Sequence, residues 1–158
     1  MNLPLDAHCF VKGGEKLSLR QAIGTNAAIM LEFWAIWCSP REKSLASLRE
    51  MSASNRFKSL GFAAVNVDFA TMDKADAFLA DFASEIPAYH EEPGGLITRL
   101  MPVKFVPSVA VISASDGEIL YFGQLISSTL RTVLNQFQNY ESAKKPASEW
   151  SGPDRRAS

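Results

Sequence analysis

The chain has 158 residues, of which 47% are hydrophobic and 21% charged, and its formal net charge is -1. That length and balance suit one globular domain with a substantial core. The near-zero charge gives no field that would draw nucleic acid or an anionic membrane surface. No apolar run is long enough to span a bilayer, and Met1–Asp6 lacks the basic and apolar regions of a signal peptide. The expectation is a chain without a transmembrane segment, cytoplasmic as written and exported if a leader has been removed.

Residues 1–27 read as an N-terminal extension. Cys9-Phe10-Val11 and Lys16-Leu17-Ser18-Leu19 are strand-like runs around Gly13-Gly14, a hairpin signal, and Ser18–Ile23 begins a helical turn ended by Gly24. Ala28 to Trp37 is apolar on both faces except for Glu32, as in a strand covered from both sides. Ser39 to about Phe57 is the first long helix, with Pro40 in its first turn, where a missing N–H costs nothing. Phe62–Asp68 is the next strand. Thr71 to about Ser84 is a second helix, with Met72, Ala75, Phe78, Leu79 and Phe82 on one stripe. Strand, helix, strand, helix implies a right-handed parallel crossover.

Ile86–Gly95 carries two prolines and Gly94-Gly95 and reads as a loop, followed by a short helix at Leu96–Leu100. Ser108–Ile112 and Glu118–Phe122 flank Ser115-Asp116-Gly117, an antiparallel hairpin. The last helix starts near Ser127 or Ser128, either of which can cap it, and buries Leu130, Val133, Leu134 and Phe137. From Ser142 the chain is polar and reads as a disordered tail, with Trp150 as its one aromatic. The expected organisation is an extension over 1–27, a domain over 28–140 and a tail over 141–158.

Two cysteines, Cys9 and Cys38, are too few for a disulfide framework. They lack metal-ligand spacing and His8 and His90 are far apart, so no metal site is expected. Cys38 stands where a buried strand meets a helix N-terminus. Backbone N–H groups there favour thiolate over thiol, and Arg41 one turn on adds a positive charge. Arg41 can equally point into solvent. Glu32, six residues before Cys38, is an acid in an apolar strand. Its pKa should be raised, and it needs a partner such as Arg41 or a lysine.

Phe33-Trp34-Ala35-Ile36-Trp37-Cys38-Ser39-Pro40 resembles the active-site entry of thioredoxin-like proteins, where Trp-Cys-x-Pro-Cys ends a central strand and opens a helix. The Gly-turned hairpin ahead of it is similar to the redox proteins of cytochrome c maturation. The resemblance implies a thioredoxin fold: a central mixed β-sheet with helices on both faces and an N-terminal β-hairpin. It also implies that Val106–Pro107 is a cis bond facing Cys38, with Val106 free to pair with an extended substrate, Pro102 being the weaker choice. Trp37, Pro40, Val106 and Pro107 would line the substrate groove, and Cys38, Glu32 and Arg41 would carry the chemistry. Glu32 matches the buried acid that relays a proton to the second cysteine.

Arg41 replaces that second cysteine, so a mixed disulfide cannot be resolved within the motif. Ala46 and Ser44 also depart from the proline and glutamate usual in the relatives. A peroxiredoxin is excluded by Ala35 and Leu31, where threonine and proline would stand. The expected function is a monothiol thiol–disulfide oxidoreductase acting on protein thiols or disulfides. It needs no bound cofactor, and glutathione is a candidate external thiol. The alternative is a non-catalytic binding module that holds an extended peptide. A third candidate is an interaction protein using its hairpin or tail.

Overall fold

The computed structural model describes residues 1–101 and 103–139; Pro102, the polar C-terminal stretch and Trp150 lie outside the described residues. Seven strands form one mixed sheet: β1 (His8–Lys12), β2 (Glu15–Ser18), β3 (Ala28–Trp34), β4 (Leu60–Asn66), β5 (Ala88–Glu91), β6 (Ser108–Ser113) and β7 (Ile119–Gly123). Their order is β2-β1-β5-β4-β3-β6-β7. The helices are α1 (Leu19–Ile23), α2 (Arg41–Ala53), α3 (Met72–Phe82), α4 (Leu96–Leu100) and α5 (Ser128–Leu134). This is the mixed sheet with helices on both faces and an N-terminal hairpin that the resemblance implied.

Burial on both faces explains why β3 reads as a continuous apolar run. All seven of its residues are buried, and it lies parallel to β4 and antiparallel to β6. Alternation then divides its side chains. Met30 and Trp34 join Leu45 and Leu48 of α2, Leu79 of α3 and Leu130 of α5 in one core. Ile29, Leu31 and Phe33 join Leu19 and Ile23 of α1 and Ile97 of α4 in the other.

Local signals set the ends of the elements. Ser18 and Gln21 close a capping box on α1, and Gly24 ends that helix at φ 61°. Ser127 caps α5 by accepting from the Leu130 N–H. Gly117 is demanded by its turn: φ is 76°, and a Cβ there would stand 2.0 Å from the Leu3 carbonyl oxygen.

One expected loop is partly a strand. Within Ile86–Gly95, Ala88–Glu91 forms β5, parallel to β4 and antiparallel to β1. Pro87 and Pro93 flank a run too short to show periodicity, and pairing on both sides supplies what propensity does not. β5 also ties the hairpin to the sheet, since β1 pairs with it directly.

Candidate functional site

β3 ends at Trp34 and α2 begins at Arg41, and the six residues between them fold into tight turns. The Cys38 N–H donates to the Ala35 carbonyl at 3.0 Å, and the Arg41 N–H donates to the Cys38 carbonyl at 3.3 Å. Pro40 is the N-cap of α2, one residue before its first turn, and its carbonyl accepts from the Ser44 N–H at 3.0 Å.

Cys38 faces the segment before β6. The Val106–Pro107 bond is cis, as expected. The Cys38 Sγ–H donates to the Val106 carbonyl oxygen at 3.5 Å. Trp37 beside it is 62% exposed, and its indole N–H donates to Asp68 Oδ2 at 2.9 Å. Phe105, next to Val106, is 53% exposed. Trp37 and Phe105 are thus exposed aromatics next in sequence to Cys38 and Val106, the two residues that meet at the thiol.

The expectation that Cys38 is an exposed, partly ionised thiol is corrected. Cys38 is 5% exposed. Its pKa is raised, first by burial and then by the charge of Glu32, with Arg41 opposing. Burial and the charge of Glu32 outweigh Arg41, and the thiol is turned toward the Val106 carbonyl.

Arg41 neither points into solvent nor pairs with Glu32. Its guanidinium lies 5.2 Å from the ring centroid of Phe78 on α3, and Nη1 donates to the Cys38 carbonyl at 3.2 Å. Its Nε is buried without a partner. Arg49, two turns on, repeats the pattern over Phe82 at 5.1 Å. Arg41 therefore fastens the start of α2 to α3 while lending charge to the site.

Glu32 is fully buried, and burial pushes its pKa up to about 8. The Ser44 hydroxyl tempers that shift but does not reach hydrogen-bond geometry, so both carboxyl oxygens and Ser44 Oγ are left without partners. The partner expected for Glu32 is absent among the described residues. The physical consequence is a carboxyl that stays protonated well into the neutral range.

Cys9 is not brought to Cys38. It lies on β1, with β5 and β4 between it and β3, in the core on the other face from α2. Both cysteines are free, and burial together with Glu91 pushes the Cys9 thiol up to about 12. Sequence reasoning missed Asp68, Ser44 and Phe78 as neighbours of the site. Asp68 was findable: it follows a strand parallel to β3, and the carboxyl ends of adjacent parallel strands converge.

No family model matches this chain. It is similar to the thiol-disulfide oxidoreductase ResA of Oceanobacillus iheyensis, with 29% identity over 109 residues, or 68% of this chain and 55% of that protein. The chain thus spans about half the length of this curated relative. Among solved structures it is similar to a protein assigned as thiol:disulfide interchange protein DsbE from Chlorobium tepidum. There the TM-score is 0.62 and the identity 26%, covering 85% of this chain and 95% of that one. The exposed lipoprotein thioredoxin Etrx1 of Streptococcus pneumoniae shares the fold at TM-score 0.60 and 20% identity, over 80% of this chain and 98% of its own.

Proposed function

We propose that this chain, thioredoxin-like in fold and with thiol-disulfide oxidoreductases among its relatives, is a monothiol exchange protein acting through Cys38. The observation that carries the reading is the placement of Cys38 after the end of β3, with its thiol 3.5 Å from the carbonyl of Val106 ahead of the cis Pro107. In the resting state Cys38 is a thiol held on the Val106 carbonyl. Glu32, pushed to about 8, is mostly protonated at neutral pH, and in its ionised fraction it accepts the Cys38 proton.

The thiolate then attacks one sulfur of a substrate disulfide. A Cys38–substrate S–S bond forms, the old S–S bond breaks, and the leaving thiolate takes a proton. No second cysteine stands at position 41, so release requires an external thiol of the glutathione class. Its thiolate attacks the mixed disulfide, frees Cys38 with its electron pair, and leaves with the substrate as a new disulfide. One disulfide enters and one leaves. Trp37, Phe105, Val106 and Pro107 offer an apolar face for an extended partner. Protein disulfides persist in oxidising compartments, so an exported setting fits this substrate class better than a cytoplasmic one. Among the described residues no helix is long and apolar enough to cross a membrane.

The burial of Cys38 and its raised pKa favour a second reading, a binding module that uses the same face without chemistry. The deciding experiment is covalent trapping. Wild type and Cys38→Ser are recovered from cells under acid quench, and mixed disulfides are mapped by mass spectrometry. Exchange predicts partners on Cys38 that reductant releases. A Cys38 free of adducts, with partners recovered equally on Cys38→Ser, selects the binding module.

A further inference from the structure

A continuous chain of hydrogen bonds runs from the exposed indole of Trp37 into the buried layer beneath α3. Trp37 Nε1 donates to Asp68 Oδ2 at 2.9 Å. Asp68 is in turn gripped through its backbone by Asn66, the last residue of β4. Asn66 Oδ1 accepts from the Asp68 N–H at 3.0 Å, and Asn66 Nδ2 donates to the Asp68 carbonyl at 2.9 Å. The same Nδ2 lies 3.1 Å from His90 Nδ1, and His90 Nε2 lies 2.7 Å from Asp76 Oδ1 on α3. Asn66 and His90 are partners in the β4–β5 register, and each is 1% exposed.

One fixed donor sets every direction in this chain. A backbone N–H can only donate, so Asn66 must turn Oδ1 toward Asp68 N. Its Nδ2 then carries one hydrogen for the Asp68 carbonyl and one for His90. His90 Nδ1 must accept, so the ring proton sits on Nε2 and is donated to Asp76. Flipping Asn66 or moving the proton to Nδ1 would set donor against donor. Buried polar groups are costly unless all are satisfied. Here they are, whereas Glu32 and Ser44 under the same site are left open.

We propose that Asn66 and His90 are positioning residues for the Cys38 site. They lock the Asp68 turn so that its carboxylate holds the Trp37 indole beside the thiol. An apolar side chain would bury as well at position 90, so packing alone gives no reason for a histidine there. The inference rests on the proposed site only in that Trp37 borders the reacting thiol.

The test is nuclear magnetic resonance on the full ¹⁵N-labelled chain, reading the Trp37 indole N–H, which is assigned by its loss in Trp37→Phe. His90→Leu and Asn66→Ala should move that signal toward its position in Asp68→Ala. His90→Gln keeps an acceptor and a donor and should restore the wild-type position. Leu79→Ala, which removes a core side chain from α3 outside the chain of bonds, controls for lost stability and should leave the signal in place. An unmoved signal in folded His90→Leu and Asn66→Ala overturns the proposal, as does an equal movement in Leu79→Ala. If those variants do not fold, the ring nitrogens of His90 in the wild type decide, because a proton on Nδ1 is incompatible with the chain. An unreactive Cys38 would defeat the exchange reading and leave this result standing.

Discussion

The guanidinium of Arg41 lies 5.2 Å from the centre of the Phe78 ring and hydrogen-bonds to the backbone carbonyl of Cys38. Arg41 therefore has a structural task, tying the first turn of α2 to α3. Removing it costs a partly buried cation–π contact of about 1 kcal/mol, and it also removes a buried, unpartnered Nε.

Glu32 should make stability fall as pH rises. Its folded value, about 8, lies above the 4.5 of a free glutamate. The folded state therefore holds a proton that the unfolded chain gives up, and unfolding free energy declines between those two values. The full span amounts to roughly 5 kcal/mol at most. Urea melts from pH 5 to 9 should show the decline in wild type and a flatter profile in Glu32→Leu. Parallel profiles would mean that Glu32 titrates normally.

Cys38 should react with iodoacetamide faster than Cys9 at neutral pH, by about tenfold or more. Both are buried, but Cys9 is pushed up to about 12, whereas at Cys38 the charge of Arg41 opposes the rise. Glu32→Gln weighs the charge of Glu32 against its use as a base. Alkylation and disulfide exchange both run through the Cys38 thiolate, so the two rates should move together. Loss of the base should slow both at pH 8, read by timed alkylation with peptide mapping and by exchange with a mixed-disulfide substrate. A rise in both would reduce Glu32 to a local charge that holds the Cys38 pKa up.

How much of this was legible in the sequence differs between fold and site. The strand from Ala28, the Asp116-Gly117 turn and the Ser127 cap each carry their cause in a few neighbouring residues and form as expected, although the strand expected to reach Trp37 ends at Trp34. β5 was hidden because two partner strands stabilise it and its own four residues carry little signal. At the site, the positions of Cys38, Glu32, Val106 and Pro107 were readable, but the direction of the Cys38 pKa was not. That direction depends on the burial of the thiol by segments distant in sequence, and then on the charge of Glu32, with Arg41 opposing. Likewise, Arg41 meets Phe78 only because α2 and α3 pack on the same face of the sheet.

Phe105 tests the apolar face without disturbing the fold. It is 53% exposed, so Phe105→Ala should change stability by no more than about 0.5 kcal/mol. Loss of an aromatic contact to a partner costs about 1 kcal/mol or more, a drop of about fivefold in capture. The yield of partners trapped on Cys38, normalised to expression, measures it. An unchanged yield would place the docking surface elsewhere.

Arg41→Cys asks whether two-thiol chemistry can be built at this site. The Arg41 N–H already bonds to the Cys38 carbonyl, so positions 38 and 41 share one turn at the start of α2. A cysteine at 41 should form an internal disulfide under oxidising conditions. Under the proposed exchange reading, a mixed disulfide on wild-type Cys38 should persist until an outside thiol arrives, whereas in Arg41→Cys the new thiol should release it, so insulin reduction with a dithiol reductant should rise. Glu32 lies beneath this turn, and its carboxyl, pushed up to about 8, suits a proton acceptor for the new thiol. The gain should therefore vanish in Arg41→Cys combined with Glu32→Leu. The lost contact to Phe78 should appear as a destabilisation of about 1 kcal/mol in the reduced form. Failure to form the disulfide would mean that the side chains at 38 and 41 diverge. A disulfide that forms without any gain in turnover would mean that substrates do not reach the thiol, and the binding-module reading would then account for the apolar face better than exchange does.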